Sequence, residues 1–443
     1  MAESPSRRLL QFVRATGYED LPKPARETAR LAVLDWWGVT VGGADEPVAR
    51  LVRQTLGSNP GSGSVLGTAA TASPADAALF NGVAAHALDY DDVTLALPGH
   101  LAAPLLPGLL AAAEARGLGG RALLSAFVLG VEVASRVARA LAPGHYRGGW
   151  HATATIGRLG GAAAVGRLLE LDAAQLDTAV GLAAAQAAGI QEAFGSMAKP
   201  FQVGRAAADA LVSGLAAESG ITGPRGILDA AGWARRLSPD WAPARLDTGL
   251  GEQYAVTELI FKRYPCCFGT HAALRGLLAL QPTLPEPASE AIEAVELEVS
   301  PTTLQVADQR DPTTGLGGKF SMTYCAAVAL ARGRVGADDF ADTAVGDPAV
   351  RALANRVRLV QNPGFTETRA HVVVRLAGGQ SRERAVDLGA ESDGEAMRRD
   401  LTAKFHQLVA PRLGDREAER LVTAIGALDD VDDVRELTAS RPG

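Results

Sequence analysis

The chain has 443 residues, too many for one small core, so two domains are expected. Hydrophobic residues make up 47% and charged residues 21%, which excludes an intrinsically disordered chain. The net charge of −7, with no Lys/Arg-rich block, argues against a nucleic-acid-binding surface. Aromatics are scarce at 5% while Ala and Gly are abundant, which predicts helices packed closely through small side chains. Apolar stretches such as LAAPLLPGLLAAAEA are broken by Pro, Gly or charge before the ~20 residues a membrane span needs. The start, MAESPSRRLLQFVRATG, is polar and then amphipathic, unlike a secretory signal. Cys266, Cys267 and Cys325 do not make a disulfide framework. These features predict a cytoplasmic protein with no nucleic-acid or membrane partner.

In chain order, the pattern is helical from about Arg7 to Ser219. A helix is predicted over Ala25–Gly42, with Ala29, Ala32, Val33, Trp36 and Trp37 at helical spacing. Further helices are predicted over Asp76–Tyr90, Pro104–Ala115, Arg121–Ala140, His151–Leu169, Ala173–Gly189 and Val203–Ser219. After Tyr264-Pro265 the character changes. A helix over Thr270–Leu280 runs into the Pro-rich QPTLPEPAS, and Ala294–Ser300 then alternates apolar and polar residues as a strand does. Arg356–Gln361 is a second strand candidate, and His371–Leu376 and Arg382–Leu388 flank Gly378-Gly379 as a hairpin. A helix over Phe320–Ala331 lies among them, and Glu395–Ala439 returns to helix. The expected architecture is mainly α. Both chain ends, residues 1–265 and 395–443, form a large helical domain, and 266–394 form a smaller inserted α/β (α+β) lid.

Candidate chemistry clusters in a few segments. His86, Asp89 and Tyr90 fall three and four residues apart on the predicted helix and so share one face. Lys199 precedes Pro200, which biases it away from α geometry towards a loop that projects a cation into a cleft. The run GRLGGAAAVG lacks GxGxxG spacing and follows no strand, so close helix contact explains it better than a dinucleotide site. His145 and His151 are six apart, without the spacing of a helical metal pair. The Asp89, Asp91 and Asp92 segment lacks the glycine and glutamate of a calcium loop. Neither a metal nor an organic cofactor is expected.

Four segments carry a resemblance: HALDYDDVTLALPGH (86–100), GWHATATIG (149–157), GSMAKPFQVGRAA (195–207) and FKRYPCCFGTH (261–271), with KFSMTY (319–324) in support. Their order, spacing and wording resemble the MmgE/PrpD family. That family includes 2-methylcitrate dehydratase, cis-aconitate decarboxylase and iminodisuccinate epimerase. The resemblance implies a helical domain with an α/β lid, a homodimer and a small carboxylated substrate. It also implies that Asp89, His100, His151, Lys199 and Lys262 line the active site. The guanidinium chemistry of Arg205 makes it a candidate for a further, bidentate carboxylate contact. His86, Tyr90, Cys267 and His271 are the remaining substrate-binding candidates. Three positions depart from the pattern: Val93 stands where the decarboxylases have threonine, Cys267 where they have histidine, and Gln202 where the family often has histidine.

The implied reaction removes a proton, or CO₂, next to a carboxylate. It needs a base and cations aimed at the developing charge. Histidines with unperturbed pKa near ~6.5 suit the base, and Lys199 and Lys262 suit the clamp. The expected activity is therefore a cofactor-independent, dehydratase-like lyase acting on a small polycarboxylate or related acid. An epimerase that pairs Cys267 with a histidine, a cis-aconitate-type decarboxylase, and a ligand-binding or scaffold protein on a retired enzyme fold are the alternatives.

Overall fold

The computed structural model describes residues 3–57, 60–229, 231–285, 287–390 and 394–439. Proline at the entrance sets three early helices, α1 (Pro5–Ala15), α2 (Lys23–Gly43) and α3 (Pro47–Leu56), because a first-turn residue has no N–H partner to lose. Helix α4 (Pro74–Ala87) adds a serine cap: the Ser73 hydroxyl accepts the Asp76 N–H at 3.2 Å. There follow α5 (Ala102–Arg116), α6 (Gly120–Leu141), α7 (Ala152–Leu168), α8 (Ala173–Ala185) and α9 (Ala198–Glu218). Asp172 and Gln175 form a reciprocal capping box at the start of α8.

Small residues let these helices touch backbone to backbone. A Cβ added at Gly204 on α9 would sit 2.4 Å from the Leu79 carbonyl oxygen of α4. One added at Gly160 on α7 would sit 2.7 Å from the Gly130 carbonyl oxygen of α6. The glycine run at 157–166 is therefore an interhelical seam within α7, as its spacing implies.

Beyond α9 come a short helix over Ala231–Leu237 and several single turns, then α10 (His271–Leu280), strand β1 (Ile292–Val299) and α11 (Met322–Arg332). Strands β2 (Val357–Gln361), β3 (Arg369–Leu376) and β4 (Ser381–Asp387) complete a sheet of order β2-β1-β3-β4. β1 runs parallel to β2, with Val295 opposite Val357, and antiparallel to β3. β3 and β4 form the hairpin expected around Gly378-Gly379. Helices α12 (Gly394–Leu413) and α13 (Asp415–Gly426) follow. The protein is thus mainly α with a small sheet.

Two large apolar cores result, with two smaller clusters beside them. One draws on residues from Leu9 to Phe261 and again from Leu401 to Leu437; the other draws on Cys266 to Leu376. The chain's far ends are joined at Gly38, where an added Cβ would lie 3.1 Å from the Phe405 ring. The expected boundary at 394/395 abuts residues 391–393, which lie outside the described residues. No helix among the described residues is long and apolar enough to cross a membrane.

Two local expectations are corrected. The helix predicted over Asp76–Tyr90 ends at Ala87: Leu88 caps it and Asp89 turns the chain with φ +51°. His86, Asp89 and Tyr90 therefore share no helical face. Lys199 is not in a loop but in the first turn of α9, where Pro200 is tolerated because its missing N–H would have been an orphan.

Candidate active site

Three backbone pairings assemble the site. Val93 and Ile260 exchange hydrogen bonds, each 2.7 Å, which carries Lys262 up to the Asp89 turn. Thr94 and Gly99 pair across their loop at 2.9 and 3.3 Å and present His100, whose N–H donates to Thr153 Oγ1 at 3.1 Å. The His151 N–H donates to the Gly189 carbonyl at 3.0 Å, holding that histidine at the head of α7 beside the start of α9. Asp89, His100, His151, Lys199 and Lys262 consequently all line one chamber of about 70 Å³, together with Cys267, Phe194 and Phe320. Cys267, Phe320, Phe194 and Val306 form a small apolar cluster of their own on its wall.

Asp89 is the electrostatic centre. Lys199 Nζ donates to Asp89 Oδ1, and Lys262 Nζ lies 3.1 Å from Asp89 Oδ2 and donates to the Asp89 carbonyl oxygen at 2.8 Å. Burial works against charge on the Asp89 carboxyl, but the two ammonium groups outweigh it and hold its pKa well below the usual range. Burial likewise opposes the charge on Lys262, and Asp89 and Asp91 more than restore it. Lys199 lies between aromatic faces, 5.3 Å from Phe194 and 4.9 Å from Phe320.

The histidines form a second layer. His151 Nδ1 donates to Gln202 Oε1 at 2.8 Å, which leaves Nε2 buried, without a hydrogen-bond partner and free to accept a proton. His86 Nδ1 donates to Asp91 Oδ2 at 2.9 Å, and His100 Nδ1 makes a close but poorly aligned contact of 3.2 Å with the same oxygen. The His86 and His100 rings meet edge to face, 4.5 Å apart. All three imidazoles are held neutral at neutral pH. Burial is the first cause in each, Lys199 adds to it at His151, and His86 falls to about 4. The two imidazoles, working against burial, keep Asp91 ionised. Burial and then Cys267's neighbour Asp89 push the Cys267 thiol up to about 12.

The remaining predicted residues fall elsewhere. His86 sits behind His100, away from the chamber wall. Tyr90 and His271 line a separate cleft of about 320 Å³ beyond Lys262, and the Tyr90 hydroxyl donates to the Arg263 carbonyl at 3.0 Å. This cleft is larger, yet the convergent histidines, lysines and aspartate are in the smaller chamber, where the chemistry belongs. Arg205 is exposed on the outer side of α9 and pairs with Asp209 at 2.5 Å. Among the described residues, His86, Asp89, Asp91 and His100 offer metal-ligand atoms within 4.8 Å of one another. The two ammonium groups already on Asp89 oppose a dication there.

Several residues that shape the site were not singled out from sequence. Asp91 ties two histidines together. Lys319 donates to the Leu88 and Pro265 carbonyls at 2.7 and 2.9 Å, fixing the loops that carry Asp89 and Cys266. Lys404 pairs with Asp35 at 2.7 Å and donates to the Tyr90 and Lys262 carbonyls at 2.6 and 3.1 Å. The available signal was lysine set among apolar and aromatic neighbours, as in KFSMTY and the Lys404-Phe405 pair.

A fold of helices around a small sheet, with histidines, lysines and a buried aspartate converging on one chamber, defines a class of enzyme-like scaffold. The sequence matches the MmgE/PrpD N-terminal domain over residues 7–245 and the MmgE/PrpD C-terminal domain over 264–430, so the chain belongs to the MmgE/PrpD family. It is 27% identical to a cis-aconitate decarboxylase-like protein of Aspergillus oryzae, covering 95% of this chain and 93% of that one. It is 27% identical to a cis-aconitate decarboxylase of Aspergillus terreus over 95% and 92% of the two chains. The human cis-aconitate decarboxylase is 25% identical over 84% and 80%. These relatives and the family support an enzyme of the lyase type.

Proposed function

We propose that the protein is a lyase that needs no cofactor and removes a proton α to a carboxylate of a small organic acid. The observation that carries this reading is the His151 Nε2 lone pair, set by Gln202, in the same chamber as Lys199 and Lys262. His151 takes the α-proton. The electron pair moves into the carboxylate as enolate-like charge, which the two ammonium groups stabilise at Asp89's expense. Where the β-carbon carries a hydroxyl, its C–O bond breaks and the hydroxide leaves as water with the proton that His151 has taken, which returns the imidazole to its neutral form. The same cationic clamp would stabilise the carbanion left by loss of CO₂, the reaction named for the relatives.

The epimerase alternative needs a second base. A thiol held near 12 is a poor one at neutral pH, which favours elimination over proton return to the opposite face. The family resemblance also carries the proposal of a homodimer, which light scattering on the purified protein checks directly. The functional reading is tested with chelator-treated protein and a panel of citrate, 2-methylcitrate, cis-aconitate and other β-hydroxy acids. Alkene formation or CO₂ release that His151→Ala abolishes supports it. Turnover that requires an added metal ion contradicts it.

A further inference from the structure

The catalytic chamber does not end at its own walls. A second pocket of about 250 Å³ adjoins it, and Leu95, Pro98, Tyr146, Thr302 and Glu367 face both. The rest of that pocket is mostly apolar, formed by the loop at Ala96 and Leu97, the end of α6 at Ala138 and Ala142, and Ile156 on α7. Arg147 stands at its exposed rim.

Charge divides the two spaces. Inside the chamber Lys199 and Lys262 contribute two positive charges, and Asp89 removes one. One net positive charge suits one substrate carboxylate. The side that leads to the second pocket carries Glu367, which repels any further carboxylate placed there. Cys267 occupies a position where the resemblance expects a histidine, so the lining also has one fewer potential cation.

Resting on the lyase reading above, we infer that the substrate bears a single carboxylate at its reacting end and an extended apolar arm. The carboxylate lies between Lys199 and Lys262. The arm passes Tyr146 and Pro98 into the adjoining pocket, and its far end emerges beside Arg147. A compact tricarboxylate leaves that pocket empty and sets a carboxylate against Glu367.

The test is kcat/KM for two series of acids, followed by proton NMR. One is 3-hydroxybutanoate, 3-hydroxyhexanoate and 3-hydroxyoctanoate; the other is citrate and cis-aconitate. The structure predicts that kcat/KM rises with arm length by roughly three- to four-fold per added CH₂, as burial of apolar surface dictates. Ala96→Trp, which fills the pocket from a half-buried loop position, flattens that rise. Glu367→Gln narrows the gap between the tricarboxylates and the alkyl acids, and it serves as the independent check should Ala96→Trp fold poorly. Tricarboxylates turned over faster than every alkyl acid would overturn the inference and leave the lyase reading standing. Silence from both series would remove the reading and the inference together.

Discussion

Two imidazoles sharing one carboxylate oxygen define the chemistry at the scale of single residues. Asp91 accepts from His86, and its charge lies 3.2 Å from His100 Nδ1, while His100 Nε2 faces Asp89 at 3.9 Å. Asp91→Asn offers a weaker acceptor and removes the charge that favours protonated His100. A fall in kcat of about 10²-fold is expected, together with an acid limb of the pH profile displaced to lower pH. Loss of activity with an unmoved profile would mean that Asp91 is only structural. His151→Ala and Lys199→Ala should each cost roughly 10²–10³ in kcat, the usual loss when one stabilising group is removed. Lys199 also helps depress the His151 pKa. Because that pKa lies below 6.5, the base is already deprotonated at neutral pH, and kcat/KM should fall only on the acid side of ~6.5. Replacing Lys199 by Met removes a neighbouring cation, so the limb should shift upward in pH.

Between elements, the site is held by close helix seams. The α4–α9 contact at Gly204 sets the distance between the Asp89 turn, which follows α4, and Lys199, which opens α9. Gly204→Ala drives a methyl into the Leu79 carbonyl, and a loss of roughly 1–3 kcal/mol is expected. Thermal unfolding measures it, and an unchanged midpoint would show that the seam can open without cost. Much of this scale was legible in the sequence. The apolar spacing in 25–42 and 121–140 and the glycine runs gave helices whose ends the structure moves by only a few residues. The failures are instructive. HALDYDD reads as a continuing helix because nothing local forbids it. Tertiary contacts hold the chain in the left-handed turn that ends α4: the ammonium groups of Lys199 and Lys262 on Asp89, and that of Lys319 on the Leu88 carbonyl. Lys199 misled in the opposite sense, since a rule for residues before proline weakens in the first turn of a helix.

Across the whole molecule, the two chain ends meet at Asp35 and Lys404, whose ion pair is buried and braces the Tyr90 and Lys262 carbonyls. Sequence could place neither partner, because their positions differ by hundreds of residues and nothing local marks either as half of a buried ion pair. Lys404→Met leaves Asp35 buried with an uncompensated charge. A cost of about 3–5 kcal/mol is expected, and the Asp35→Leu, Lys404→Met double variant should recover most of it. Neutral burial of histidines has its own global consequence. His86 and His145 are both held near 4 by burial, far below their unfolded value. Between about pH 6.5 and 4 the unfolded chain binds more protons than the folded one, so stability should be lost as pH falls through that window. Midpoints of thermal unfolding across it would test the sign.

Proton abstraction by His151 without a metal is the step on which the proposed reaction depends. Proton NMR of the chelator-treated protein in D₂O, with His151→Ala beside it, reads that step whatever the subsequent reaction. The prediction is enzyme-dependent exchange at the carbon next to the carboxylate, or formation of an alkene. The variant abolishes either outcome. Exchange that persists undiminished in His151→Ala would contradict the assignment of the base and, with it, the mechanism.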